Sequence, residues 1–157
     1  MDRLAVERAK ELHRRHPGLS FPVDMEWLVN AEGCELMSWP FLAPVKEVKR
    51  GRWIGIAAGL EASERRYLAA HALAHHLLHC GNQLVFYSWD KTILWKQEHE
   101  ANVCATHILI PEDELNKLGK IPMWELADYF GVPEYLVQLR LKEFATDREL
   151  ARWRTSR

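Results

Sequence analysis

At 157 residues and 18.4 kDa the chain is long enough for one domain with a buried core and too short for two large ones. Hydrophobic residues at 48% and charged residues at 27% fit a globular protein and exclude a disordered or fibrous one. Twenty-one Lys and Arg against 22 Asp and Glu leave a net charge of -1, so no global basic field draws the chain onto nucleic acid or an anionic membrane.

Cys34, Cys80 and Cys104 are odd in number and widely spaced, which argues against a disulfide framework and for a reducing, cytoplasmic setting. The first residues are too charged for a signal peptide, and no apolar run approaches the ~20 residues of a membrane span.

In chain order, Leu4, Ala5, Ala9 and Leu12 recur at helical spacing, and Pro17-Gly18 ends a first helix over residues 2–16. Asp24 is a candidate N-cap for a short helix that stops at Gly33. Residues 34–39 are loosely strand-like, and residues 53–57 more clearly so, being aromatic and β-branched. Between them Lys46, Lys49, Arg50 and Arg52 surround a single acid, Glu47, and read as a basic loop able to meet an acidic partner. A long helix is expected over residues 63–79, stopped by Gly81-Asn82, then a loop over 83–92 and a second long helix over 96–110. A further helix begins at Pro111, with proline in the first turn followed by acids that suit the helix dipole. Residues 121–144 read as helix, glycine turn at Gly131, helix.

Eight histidines are present, four of them between residues 71 and 79. His71 and His75 are four apart on a helix, hence rotated by only about 40° and separated by roughly 6 Å along the axis. Both imidazoles can therefore reach one ion, and zinc takes such neutral nitrogen donors at about 2.0–2.1 Å. Helical histidines at this spacing can equally be packed or exposed without a metal. Ala70, Ala74, Ala101 and Ala105 are small enough to let two helices approach, as a shared ion requires, although alanine is also simply the best helix former.

The segments Arg65-Arg66-Tyr67-Leu68-Ala69-Ala70-His71-Ala72-Leu73-Ala74-His75-His76-Leu77-Leu78-His79 and Glu98-His99-Glu100-Ala101-Asn102 resemble the ImmA/IrrE metallopeptidases. The resemblance extends to residues 51–59 as the strand before the active-site helix and to residues 126–141 as a C-terminal helix pair. It implies an α+β, zincin-like domain over residues 1–110, with an active-site helix beside a small mixed sheet and a helical, helix-turn-helix-like subdomain over 111–157. It also implies zinc held by His71, His75 and Glu100, and a protein substrate, usually a helix-turn-helix repressor whose cleavage relieves repression. An extended substrate segment pairing with strand 53–57 is the docking mode expected here.

The motif of that family is His-Glu-x-x-His, whose glutamate takes a proton from the attacking water and hands it to the leaving amine. Position 72 is alanine, and a methyl group moves no proton; losing a general acid/base typically costs ~10²–10⁴-fold. The site is thus expected to bind metal without turnover. Two origins of Ala72 are open: an exchange that preserves the site while stopping the reaction, or a natural zinc protein that binds without cutting.

Other residues carry secondary expectations. His79, a turn beyond His75, could support the metal site or cap its helix, and His107 shares a helix face with Glu100. Glu98 is two residues from Glu100 and expected on the opposite side. Tyr87 and Trp89 are candidates for lining the cleft, with Tyr87 able to donate to an oxyanion. Cys80 and Cys104 read as buried small hydrophobes. The second helix of the Gly131 pair would present Glu134, Gln138, Arg140 and Lys142, too mixed in charge for a DNA reader. A non-catalytic module that binds DNA or a repressor through these helices is the alternative.

Overall fold

The computed structural model describes residues 2–79 and 91–155, without the side chains of 91–93. Tyr87, Trp89 and Cys80 lie outside the described residues. The order is α1 (Arg3–Arg15), α2 (Met25–Ala31), β1 (Glu35–Trp39), β2 (Glu47–Arg50), β3 (Trp53–Ala57), α3 (Ala62–His79), α4 (Lys91–Leu109), α5 (Glu112–Leu118), α6 (Met123–Phe130), α7 (Glu134–Lys142) and α8 (Asp147–Thr155). The chain is α+β with a three-stranded mixed sheet among the described residues.

Local signals explain most boundaries. Asp24 caps α2 by accepting the Trp27 N–H at 3.1 Å, satisfying one of the donors a helix start leaves open. α6 ends at Gly131, whose φ of 59° is the left-handed conformation that glycine adopts without a Cβ penalty. A side chain there would also strike Arg66, which reaches across from α3 to donate to the carbonyls of Gly131 and Val23.

Three elements depart from the sequence expectation. The basic stretch is a strand, β2, because its residues pair with β3 in an antiparallel hairpin. α4 begins at Lys91, five residues before the expected start at 96. α8 was not expected, yet Thr146 and Glu149 form a reciprocal capping box: the Glu149 N–H donates to Thr146 Oγ1 at 3.2 Å, and the Thr146 N–H to Glu149 Oε2 at 2.7 Å.

The strand order is β1-β3-β2, with β1 parallel and β2 antiparallel to β3. β3 is therefore central, and a peptide cannot add to it as the sequence suggested, because both its edges are taken. Ile54 and Ile56 of β3 are fully buried, as are Leu12 of α1 and Leu28 of α2; each such side chain contributes roughly 1.5–3 kcal/mol on burial. The most extensive helix contact is between α3 and α4, and Ala70, Ala74, Ala101 and Ala105 are all fully buried. α3 thus runs through the centre, with the sheet on one side and α4 on another.

Candidate metal centre

His71 and His75 lie on one face of α3, with ring centroids 4.7 Å apart. His71 Nδ1 is 2.8 Å from Glu47 Oε2 and 3.1 Å from Glu47 Oε1. On the other side of the ring, His71 Nε2 is 3.1 Å from Glu98 Oε2, and His75 Nε2 is 2.8 Å from Glu98 Oε1. Ligand atoms of His71, His75 and Glu98 all fall within 4.8 Å of one another.

The carboxylate that reaches the two histidines is thus Glu98, not Glu100. Glu100 faces away from the pair, with Oε2 4.0 Å from His79 Nε2 and Oε1 3.8 Å from Lys96 Nζ. The rotation of α4 accounts for the difference. Its alanine seam against α3 contains Ala101 and Ala105, and residues three and seven positions earlier than these share that face, which selects position 98. The alanine spacing already held this signal in the sequence.

A cation suits this donor set on an observation of the site itself. His71 donates its Nδ1 hydrogen to Glu47, so in the neutral ring Nε2 carries a lone pair. That atom is buried and faces Glu98 Oε2 at 3.1 Å. Lone pair against anion is repulsive unless a proton or a metal ion stands between them. Without metal the proton does: burial disfavours the imidazolium, but hydrogen bonds and charge from Glu47 and Glu98 outweigh it and raise the His71 pKa to about 9. Hydrogen bonds from His71 and His75 hold the Glu98 carboxyl far below the usual carboxylate range.

The neighbours are fixed in turn. Tyr67, one turn before His71, donates its hydroxyl to Asn102 Oδ1 and so ties α3 to α4 beside the site; burial pushes its pKa upward. Sequence reasoning assigned roles to neither Tyr67 nor Glu47. The side chain at position 72 is a fully buried methyl on the packed face of α3. His107 does not join the centre: it sits on another face of α4, its Nε2 2.8 Å from the Phe144 carbonyl, lining a cleft of about 560 Å³ with His13 and Thr146. Cys104 is buried, which pushes its thiol up to about 12 and keeps it protonated.

Two histidines one turn apart on a buried helix, a carboxylate from the adjacent helix and a small mixed sheet alongside define a zincin-like fold with a candidate metal centre. The chain belongs to the peptidase M78 family, described as the IrrE N-terminal-like domain, whose model matches residues 32–142. Among solved structures it is similar to a Mycobacterium tuberculosis transcriptional regulator, with a TM-score of 0.71 over 92% of this chain at 14% identity, a likeness of fold. The chain spans about half, 48%, of that protein. Comparison with curated proteins gives no match. No helix among the described residues is long and apolar enough to cross a membrane.

Proposed function

We propose that this chain is a zinc-binding domain of the metallopeptidase type that engages a protein, a helix-turn-helix repressor by resemblance, and that Ala72 prevents it from cutting. His71, His75 and Glu98 are the proposed protein ligands. The carrying observation is the convergence of Nε2 of His71, Nε2 of His75 and one carboxylate: their separations of 3.1 and 2.8 Å are close to the about 3.3 Å between neighbouring ligands of a tetrahedral zinc site. Zinc, when bound, supplies Lewis-acid polarisation of a peptide carbonyl. Glu98 carries the charge that balances the ion, and the two α3 histidines bring their donors on a rigid helix. A glutamate at 72 would hold and pass the proton; the methyl there cannot.

The expected docking edge moves from β3 to β2. Lys46 O accepts from the Ala57 N–H at 2.8 Å, so by antiparallel alternation the backbone groups of Glu47 and Lys49 point away from β3, toward a side on which no strand pairs with β2 among the described residues. An extended segment can pair there next to His71. The division after Ile110 into a metal-binding core and a helical subdomain is part of the same proposal. The alternative, a module that binds a repressor without cleavage, is favoured by the buried methyl at 72. Its DNA-reading form loses one cation, since Arg140 is fully buried.

The test is the Ala72→Glu variant, incubated with the helix-turn-helix protein encoded beside it. Cleavage that appears with Ala72→Glu and stops with chelator supports a peptidase site. Binding without cleavage in both forms supports the module instead, and absence of near-stoichiometric zinc from the purified protein defeats the metal reading altogether.

A further inference from the structure

Glu47 has no task in the peptidase motif, yet it is the acid bonded to His71 Nδ1. Its strand explains how it arrives there. In register opposite Ile56, the side chain of Glu47 shares the sheet face that Ile54 and Ile56 turn toward α3. Three flanking cations are engaged elsewhere: Lys46 with Glu64 at 2.7 Å, Lys49 with the Gly51 carbonyl at 2.5 Å, and Arg52 with Glu35 at 3.4 Å. The Glu47 carboxylate is instead directed at one ring nitrogen, and its side chain is only 17% exposed.

We infer that Glu47 is a positioning residue of the metal site, fixing the tautomer and rotation of His71 so that Nε2 offers its lone pair to the point shared by His75 and Glu98. The inference rests on the ligand assignment proposed above. An imidazole free at Nδ1 exists as two tautomers and can turn about its side-chain bonds. A carboxylate at 2.8 Å selects the Nδ1–H form, restrains the ring and raises its basicity as a donor. Because β2 is an edge strand among the described residues, the residue that orients the ligand has its own backbone facing the proposed docking position.

The experiment compares wild type, Glu47→Gln, Glu47→Ala, His71→Ala and the Glu47→Ala/His71→Ala double variant, all as the full chain. The probes are Zn²⁺ alone, by competition with a chromogenic chelator, and Co²⁺, by its visible absorption. Glu47→Ala is expected to weaken zinc binding by about 10–100-fold and to alter the Co²⁺ spectrum. Glu47→Gln, whose carbonyl still accepts from Nδ1, is expected to retain part of the loss. In the His71→Ala background, Glu47→Ala should change the residual affinity less than about twofold, because the two act as one unit.

Wild-type affinity and spectrum in both Glu47 variants overturn the inference, as does an equal loss in the presence and absence of His71. Thermal unfolding of the metal-free variants separates misfolding from lost binding. If Glu47→Ala does not fold, the near-isosteric Glu47→Gln decides, and an unchanged affinity and spectrum overturn the inference. Zinc affinity that needs His71 but not Glu47 defeats this inference alone, whereas affinity indifferent to His71 defeats the ligand assignment and this inference with it.

Discussion

Glu98 and Glu100 are two residues apart on α4, and the structure gives them different partners: the histidine pair for the first, His79 and Lys96 for the second. Glu98→Gln is therefore expected to weaken zinc binding by more than tenfold, whereas Glu100→Gln should stay within about twofold; chelator competition reads both. That His71 and His75 share one helix face was legible from their spacing. Which of the two carboxylates lies beside the pair was not legible, because a motif names residues without fixing the rotation of their helix, which packing decides. Glu47 was not legible at all, since only the sheet brings it within reach of residue 71. His107 offers a test away from the metal. Burial, with the charge of Arg140, lowers its pKa to about 4 from an unfolded value of 6.5. Between these values the unfolded chain binds more protons, so stability should fall as pH drops below about 6.5 and be fully present above it. At pH 5 the loss should be about 1–2 kcal/mol relative to pH 7. Urea unfolding in chelator, with His107→Gln flattening the slope, measures it.

Among the elements, α7 and α8 are joined by a guanidinium and a carboxylate that are both fully buried. Arg140 donates from Nε to the Ile110 carbonyl at 2.9 Å and from both terminal nitrogens to Glu149. Arg140 thereby caps the exit of α4 as well as anchoring α8. Glu149→Gln leaves a buried cation without its counter-charge and should cost about 3–5 kcal/mol, measured by denaturant unfolding. Arg140→Met/Glu149→Leu should lose less than the sum of its two single changes, because neither partner is then stranded. The helices with clear apolar periodicity and caps were legible to within a few residues. β2 was not, because four cations in seven residues look like a solvated loop until β3 is there to pair with them. α8 escaped although Thr146-x-x-Glu149 is a readable start signal, because residues 147–155 carry too few apolar side chains to show a helical period.

At the scale of the molecule, α3 is the element against which the sheet, α1, α2 and α4 all pack, and the proposed ligands join α3 to α4. Zinc that binds only the folded chain should then raise its stability by about 2.7 kcal/mol at a free concentration of 100 Kd. Thermal unfolding in zinc against chelator checks this, and His71→Ala/His75→Ala should abolish the shift. The central helix followed from its pattern and stop signal, and the α+β class from the family resemblance. The strand order did not, since nothing local says that the last strand of the three inserts between the first two.

The alanine seam between α3 and α4 has a mechanical meaning as well. Alanine has no side-chain torsion, so a spacer made of Ala70, Ala74, Ala101 and Ala105 cannot lengthen or shorten by changing rotamer. The approach of the α3 and α4 backbones beside the histidine pair and Glu98 is consequently set by methyl contact, while the donors themselves keep their own side-chain torsions. The two helices held at that spacing present two imidazole nitrogens and one carboxylate, a donor set that suits zinc, whereas calcium takes six or more oxygen ligands.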